Sequence, residues 1–254
     1  MWNEEELLGK YDTSLFEQDL KEFGIQLKKR QICQFLKYYE LLVEWNSFMN
    51  LTGITEFDEV MKKHFTDSLS VYPVFLQLQK DYSININSLI DIGTGAGFPG
   101  LPLKILFPEM EVTLLDSLNK RIHFLDTVIE ELGLTGIYTV HGRAEDFAKP
   151  GKLRSRFDLC VSRAVANLST LSEYCIPFCR QGGFFISYKS EKVSEEITAG
   201  EKAVTLLGGS IETKKEFILP NSDISRTFVI VQKKKETPKK FPRKAGLPSK
   251  EPLC

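Results

Sequence analysis

Residues 89–100 read LIDIGTGAGFPG. Leu89, Ile90 and Ile92 form a short apolar run, glycines begin at Gly93, and Leu101, Leu103, Ile105 and Leu106 resume at helical spacing. The pattern predicts a buried strand, a glycine loop and a helix. Gly93, Gly95 and Gly97 permit positive φ and let a ligand lie against bare main chain. The helix that follows offers unpaired N–H groups to a polar or anionic group. The stretch therefore reads as a nucleotide-like cofactor site; the other reading is a βα turn that uses glycine for tightness alone.

Outward from this loop the texture is one of alternation. Short strands are expected at Leu89–Ile92, Val112–Leu115, Ile137–Val140, Phe157–Ser162 and Phe184–Tyr188, with helices at Leu101–Phe107, Leu118–Leu132, Leu168–Cys179 and Lys192–Leu207. Such alternation implies a parallel sheet with helices on both faces, and ligands bind at the C-terminal ends of its strands. After Gly208 the pattern breaks: Ile211–Leu219 and Thr227–Val231, joined by a short polar link, predict an antiparallel hairpin. A mostly parallel seven-stranded sheet ending in an antiparallel hairpin is the α/β, Rossmann-like arrangement of class I methyltransferases that use S-adenosylmethionine. Dinucleotide domains continue instead with a sixth parallel strand.

Upstream, Ile32, Phe35, Leu36, Tyr39, Leu42 and Val43 form one apolar stripe on a helix expected from Lys28 to Met49. A third helix is expected over Glu59–Gln79 unless Pro73 divides it, and it carries His64 and Asp67 at i and i+3, able to share a face. The organisation expected is an N-terminal helical cap (1–80), a methyltransferase domain (81–232) and a basic, mobile tail (233–254). The chain's 33 basic and 34 acidic residues nearly cancel, but residues 232–254 hold eight basic residues against two acidic, and residues 1–60 twelve acidic against six basic. The basic end is the one expected to meet an anionic partner.

Five scattered cysteines (Cys33, Cys160, Cys175, Cys179, Cys254) read as reduced thiols, and no metal site is expected among them and three histidines. The acidic N-terminus does not resemble a signal peptide, and no apolar run approaches the roughly 20 residues needed to span a bilayer. A cytoplasmic protein without membrane contact is expected, and a monomer.

At the strand ends stand the candidate functional groups. Asp116 closes the second strand about twenty residues past the loop, where an acceptor can take both hydroxyls of a ribose. Ala144, Glu145 and Asp146 follow the third strand and can border an adenine. A dinucleotide fingerprint needs a third glycine where Phe98 stands, whereas Asp91 ahead of the glycines completes a D-x-G-x-G-x-G methyltransferase motif.

Taken together, NLTGIT (Asn50–Thr55), KHFTDSL (Lys63–Leu69), DIGTGAGFPG, LLDSLNKR (Leu114–Arg121), GRAEDF (Gly142–Phe147) and VSRAVANL (Val161–Leu168) closely resemble the 16S ribosomal RNA guanine-N7 methyltransferase family, also called glucose-inhibited division protein B. The resemblance covers nearly the whole chain. It implies that Gly93, Phe98, Ala144, Glu145 and Arg163 contact S-adenosylmethionine, with Gly95 and Gly97 in the same loop and Asp116, Ser117 and Leu118 near its ribose and adenine. It implies 16S ribosomal RNA, or the small ribosomal subunit, as partner.

Guanine N7 carries an in-plane lone pair, so no base is needed and no covalent cysteine is expected; alignment dominates. Arg163, His64 and Lys189 are the candidates to grip the acceptor base at the rim. The tail lysines with Lys152, Arg154 and Arg156 are candidate phosphate contacts, and removing residues 233–254 is expected to weaken RNA binding and spare the cofactor. Two rival readings remain at this point: an oxidoreductase with a dinucleotide in the loop, and a non-catalytic cofactor-binding partner.

Overall fold

The computed structural model describes residues 2–163, 166–190 and 193–253. Ala164 and Val165 of VSRAVANL, the expected helix start at Lys192, and Cys254 lie outside the described residues. The strands are β1 (Ser88–Ile92), β2 (Glu111–Asp116), β3 (Ile137–His141), β4 (Phe157–Ser162), β5 (Cys179–Lys189), β6 (Gly209–Ile218) and β7 (Ser225–Lys233). They form one seven-stranded sheet in the order β3-β2-β1-β4-β5-β7-β6. Strands β1 to β5 pair in parallel, and β7 is antiparallel to both of its neighbours. The order of connection reverses between β1 and β4, which opens a crevice at their C-terminal ends. The glycine loop leaves one side of that crevice and Arg163 the other.

Alternation along each strand sends side chains to two cores. Leu89, Val112, Leu114 and Val161 join the N-terminal helices in one cluster, while Ile90, Ile92, Leu115 and Cys160 join the helices that follow β4 and β5 in the other. The helix Lys29–Met49 buries Phe35, Leu36, Tyr38 and Leu42 completely, and stops at Asn50 in the left-handed region. The cap helices thus share a single hydrophobic cluster with the sheet, and the helix Tyr72–Tyr82 runs past the expected boundary at residue 80.

Three expected elements differ. The helix over Glu59–Gln79 comes in pieces: Phe57–Val60, a π turn at Met61–Thr66, Asp67–Leu69, then a restart at Tyr72–Tyr82 with Pro73 in its first turn. Proline lacks the N–H and clashes inside a helix, but fits the first turn. The helix from Leu168 ends at Cys175, where Ile176–Phe178 tightens around Pro177 and delivers the chain to β5. The third difference is the tail, expected to be free. Phe241 is buried in the second core, Arg243 forks onto buried Glu173, and Lys233 Nζ is drawn inward to the Ile176 carbonyl at 3.0 Å. Buried acceptors elsewhere on the body fix it. Lys239, Lys240, Lys244 and Lys250 stay exposed.

Candidate active site

β1 delivers the chain into a loop where Gly93, Gly95 and Gly97 have φ of 71°, 63° and 98°. The N–H groups of Gly93 and Thr94 donate to the Leu115 carbonyl at 2.9 and 3.2 Å, fastening the loop to β2. Two of the glycines are needed for opposite reasons. A Cβ on Gly97 would lie 2.4 Å from Leu101 Cδ1 and 2.5 Å from the Tyr38 hydroxyl, whereas a Cβ on Gly93 would meet nothing within 4 Å. Gly97 lets the loop close onto the helices behind it; Gly93 leaves bare main chain facing open space. The Tyr38 hydroxyl donates to the Ala96 carbonyl and holds the loop from behind. Phe98 stacks on His64 (centroids 4.6 Å, 17°) and on Tyr38 (5.4 Å, 21°).

Two carboxylates brace this loop. Asp91, completely buried, accepts through Oδ2 from Thr94 Oγ1 at 2.7 Å and from Gly100 N at 2.9 Å, while its Oδ1 has no partner. Burial raises its pKa to about 7 against the pull of those two donors. Asp116 accepts from Leu118 N on Oδ1 and from Gly95 N on Oδ2, each at 2.9 Å, with Arg121 Nη1 at 3.2 Å. The end of β2 is thereby tied to the tip of the glycine loop. Ser117 is exposed beside it, and Leu118 presents an apolar side chain, 43% exposed, to solvent. Beyond β3, Ala144 and Glu145 open the short helix Ala144–Phe147; both are buried, and Glu145 Oε1 accepts from Gly246 N at 2.7 Å.

Across the crevice, Arg163 follows β4 with its guanidinium carbon 5.0 Å from the Phe98 ring centre. Its Nη1 donates to the Lys63 carbonyl (3.1 Å) and to Asp67 Oδ2 (3.0 Å), and its Nη2 faces His64 Nδ1 at 3.3 Å. A guanidinium only donates, so Nδ1 accepts; the ring proton sits on Nε2, which donates to Thr52 Oγ1 at 2.8 Å. Burial, reinforced by Arg163, lowers the His64 pKa to about 4, so the imidazole is neutral at pH 7. The π turn carries Lys63 and His64, and such turns recur at functional sites.

Asp67 accepts a second guanidinium on its other oxygen, from Arg226 Nε at 2.8 Å. One buried carboxylate therefore aims two arginines. Lys189, at the end of β5, donates to the Ala166 carbonyl at 2.7 Å and pairs with Glu196 at 2.6 Å. His64, Asp67, Arg163, Tyr188, Lys189 and Arg226 line one cleft of about 390 Å³.

The structure thus unites Arg163, His64 and Lys189, three residues far apart in sequence, and sets the loop glycines, Phe98 and Asp116 on the adjoining wall. Tyr38 was missed: the expected apolar stripe named its neighbour Tyr39, whereas the helix buries Tyr38 completely and leaves Tyr39 only partly buried. Arg226 carried no signal, because its place beside Asp67 arises from the β5–β7 pairing. Thr52 lay inside NLTGIT, a motif whose role the sequence did not disclose. Of the candidate phosphate contacts, Arg154 is a correction: its guanidinium turns inward to the Ala148 carbonyl (3.2 Å) and the Phe241 carbonyl (2.7 Å). Lys152 and Arg156 remain exposed.

The family model GidB, described as rRNA small subunit methyltransferase G, matches residues 31–223. The chain belongs to that family. The ribosomal RNA small subunit methyltransferase G of Lachnoclostridium phytofermentans is 52% identical over 243 residues, covering 95% of this chain and 98% of the relative. Proteins of the same description from Lactococcus lactis subsp. cremoris (51%; 92% and 96% covered) and Alkaliphilus metalliredigens (48%; 92% and 95% covered) are also similar. The matched family segment contains every residue of the loop and the cleft cluster except Arg226. Among the described residues, no group of three or more His, Cys, Asp or Glu is placed to hold a metal, and no helix is long and apolar enough to cross a membrane.

Proposed function

We propose that this chain transfers the methyl group of S-adenosylmethionine to N7 of a guanine in 16S ribosomal RNA. Membership of the small-subunit methyltransferase family supports the reaction and its RNA substrate. The observation that carries the assignment of the site is the facing of two built walls across one crevice. One wall is the glycine loop, open at Gly93 and closed behind at Gly97, with Asp116; the other is the Arg163–His64–Asp67 cluster, and Phe98 touches both.

The residues present fit the cofactor. Gly93 leaves main chain facing open space, Asp91 Oδ1 is a buried acceptor without a donor, and exposed Leu118 offers an apolar face beside Asp116. In this reading Gly93, Gly95, Gly97 and Phe98 flank the methionine portion, Asp116 takes the ribose hydroxyls, and Ser117, Leu118, Ala144 and Glu145 border the adenine. When bound, S-adenosylmethionine supplies an electrophilic sulfonium methyl.

The chain's own residues position the reactants. N7 attacks with a lone pair that carries no proton, so a base is superfluous, and His64 is unsuited to be one because its Nδ1 already accepts from Arg163. His64 instead orients Arg163 and stacks on Phe98. Holding the acceptor at attack distance then provides the acceleration. Arg163, Arg226 and Lys189 give the cleft positive corners for a base and its flanking phosphates. N7 is out of reach in the deep groove of A-form RNA, so the target is a loop or flipped nucleotide. Exposed Lys152 and Arg156, with Lys239, Lys240, Lys244 and Lys250 of the tail, add sequence-independent contacts. The enzyme works as a cytoplasmic monomer, with no metal.

Incubating purified protein with small-subunit RNA and methyl-labelled S-adenosylmethionine tests this. Label should enter the RNA, and Arg163→Ala should abolish transfer while the protein stays folded. Transfer at the wild-type rate by Arg163→Ala would refute the placement of the site. Stabilisation against heat by NAD rather than by S-adenosylhomocysteine would refute the cofactor.

A further inference from the structure

We infer that the C-terminal segment Phe241–Lys250 is a working part of the cofactor site, with Arg243 as a positioning residue that seats Gly246 on Glu145. The inference rests on the reading that Ala144 and Glu145 border the cofactor. Three contacts carry it, and all converge on the short helix Ala144–Phe147. At its start, Gly246 N donates to Glu145 Oε1 at 2.7 Å. At its end, the Arg154 guanidinium bridges the Ala148 carbonyl (3.2 Å) and the Phe241 carbonyl (2.7 Å). Between these points Phe241 packs in the same buried cluster as Ala144 and Ala148.

The segment is also anchored. Glu173, wholly buried, accepts from Arg243 N at 2.6 Å, from Nε at 3.0–3.1 Å and from Nη2 at 2.7 Å. Thr170 Oγ1 donates to the Pro248 carbonyl at 3.1 Å. Glu145 is almost entirely out of water, and a buried carboxylate needs donors. Gly246 supplies one from 101 residues away, so the wall that holds Glu145 in place is completed only when the tail is seated. On this inference loss of the tail weakens cofactor binding, where the sequence reading expected the cofactor to be spared.

Coupling between seating and binding is reciprocal. If the seated tail shapes the cofactor wall, the cofactor must in turn shift the equilibrium towards the seated tail by the same factor. The test uses the full chain with S-adenosylhomocysteine as probe, and reads amide hydrogen exchange with and without saturating probe. Amides of Phe241–Lys250 should exchange at least tenfold more slowly with the probe, together with those of the glycine loop. Calorimetry should give Arg243→Ala at least a tenfold weaker dissociation constant, with Arg243→Lys recovering part of the loss. Protection of the glycine loop with no change in Phe241–Lys250 would overturn the inference and leave the cofactor reading standing. No protection anywhere would overturn both. The exchange experiment on the unaltered chain decides the matter even where Arg243→Ala fails to fold.

Discussion

Asp67→Asn is the sharpest perturbation of the cleft, because one side chain holds two guanidinium groups. The Asp67 side chain is 3% exposed, and its partners Arg163 and Arg226 are 18% and 21% exposed. Asparagine keeps the shape and one acceptor oxygen but turns an NH2 toward a guanidinium that only donates. Breaking a fully buried pair costs about 3–5 kcal/mol. Both arginines keep some water and one acceptor survives, so about 2–4 kcal/mol is expected here. For a chain of this size that lowers the melting temperature by about 5–15 °C. Arg163, freed on one side, loses its aim over Phe98, and transfer should fall about 10- to 100-fold, as misplacement of a positioning group does. Thermal unfolding by circular dichroism and labelled-methyl transfer at a permissive temperature read the two effects. An Asp67→Asn protein that melts within about 1 °C of wild type and transfers at the wild-type rate would refute the reasoning.

Three other outcomes follow from the same geometry. The His64 pKa is about 4 folded and about 6.5 unfolded, so the unfolded chain binds the proton first, and stability falls as pH drops from about 6.5 towards 4; His64→Gln should remove about 2–3 kcal/mol of the acid sensitivity in urea unfolding at pH 7 and 4.5, and an identical difference between the two pH values for both proteins would contradict the burial assigned to His64. Tyr38→Phe leaves the Ala96 carbonyl without its donor in the core and should cost about 1–3 kcal/mol and weaken S-adenosylhomocysteine binding several-fold; unchanged calorimetric affinity would remove Tyr38 from the loop's support. Cys160 is completely buried, and burial pushes its thiol pKa well up; Cys160→Ala should destabilise modestly yet retain methyl transfer, and a folded, cofactor-binding but inactive variant would show a role for the thiol.

How far the sequence carried the fold depended on where each signal resided. The five parallel strands and the closing hairpin were legible because alternation, glycine breaks and polar strand ends are local features. Asp91 and Phe98 separated a methyltransferase loop from a dinucleotide loop for the same reason. The break at Pro73 could be named as a possibility, but the π turn that places His64 against Arg163 leaves no local mark. Arg226 and the tail were illegible for a stronger reason: their partners Asp67, Glu173 and Glu145 lie 159, 70 and 101 residues away. Composition alone reads a lysine- and proline-rich segment as a free tail. Only the folded body reveals the buried carboxylates that its Arg243 and Gly246 satisfy.

The central claim is that this chain methylates N7 of a guanine in small-subunit RNA, and N7-methylguanosine has a direct chemical signature. Reduction followed by aniline treatment cleaves RNA at that nucleotide. Small-subunit RNA from cells that carry the gene should be cut at one guanosine, and the cut should vanish when the gene is deleted and return when it is restored. A cut that persists in the deletion strain, or none in either strain, would contradict the account.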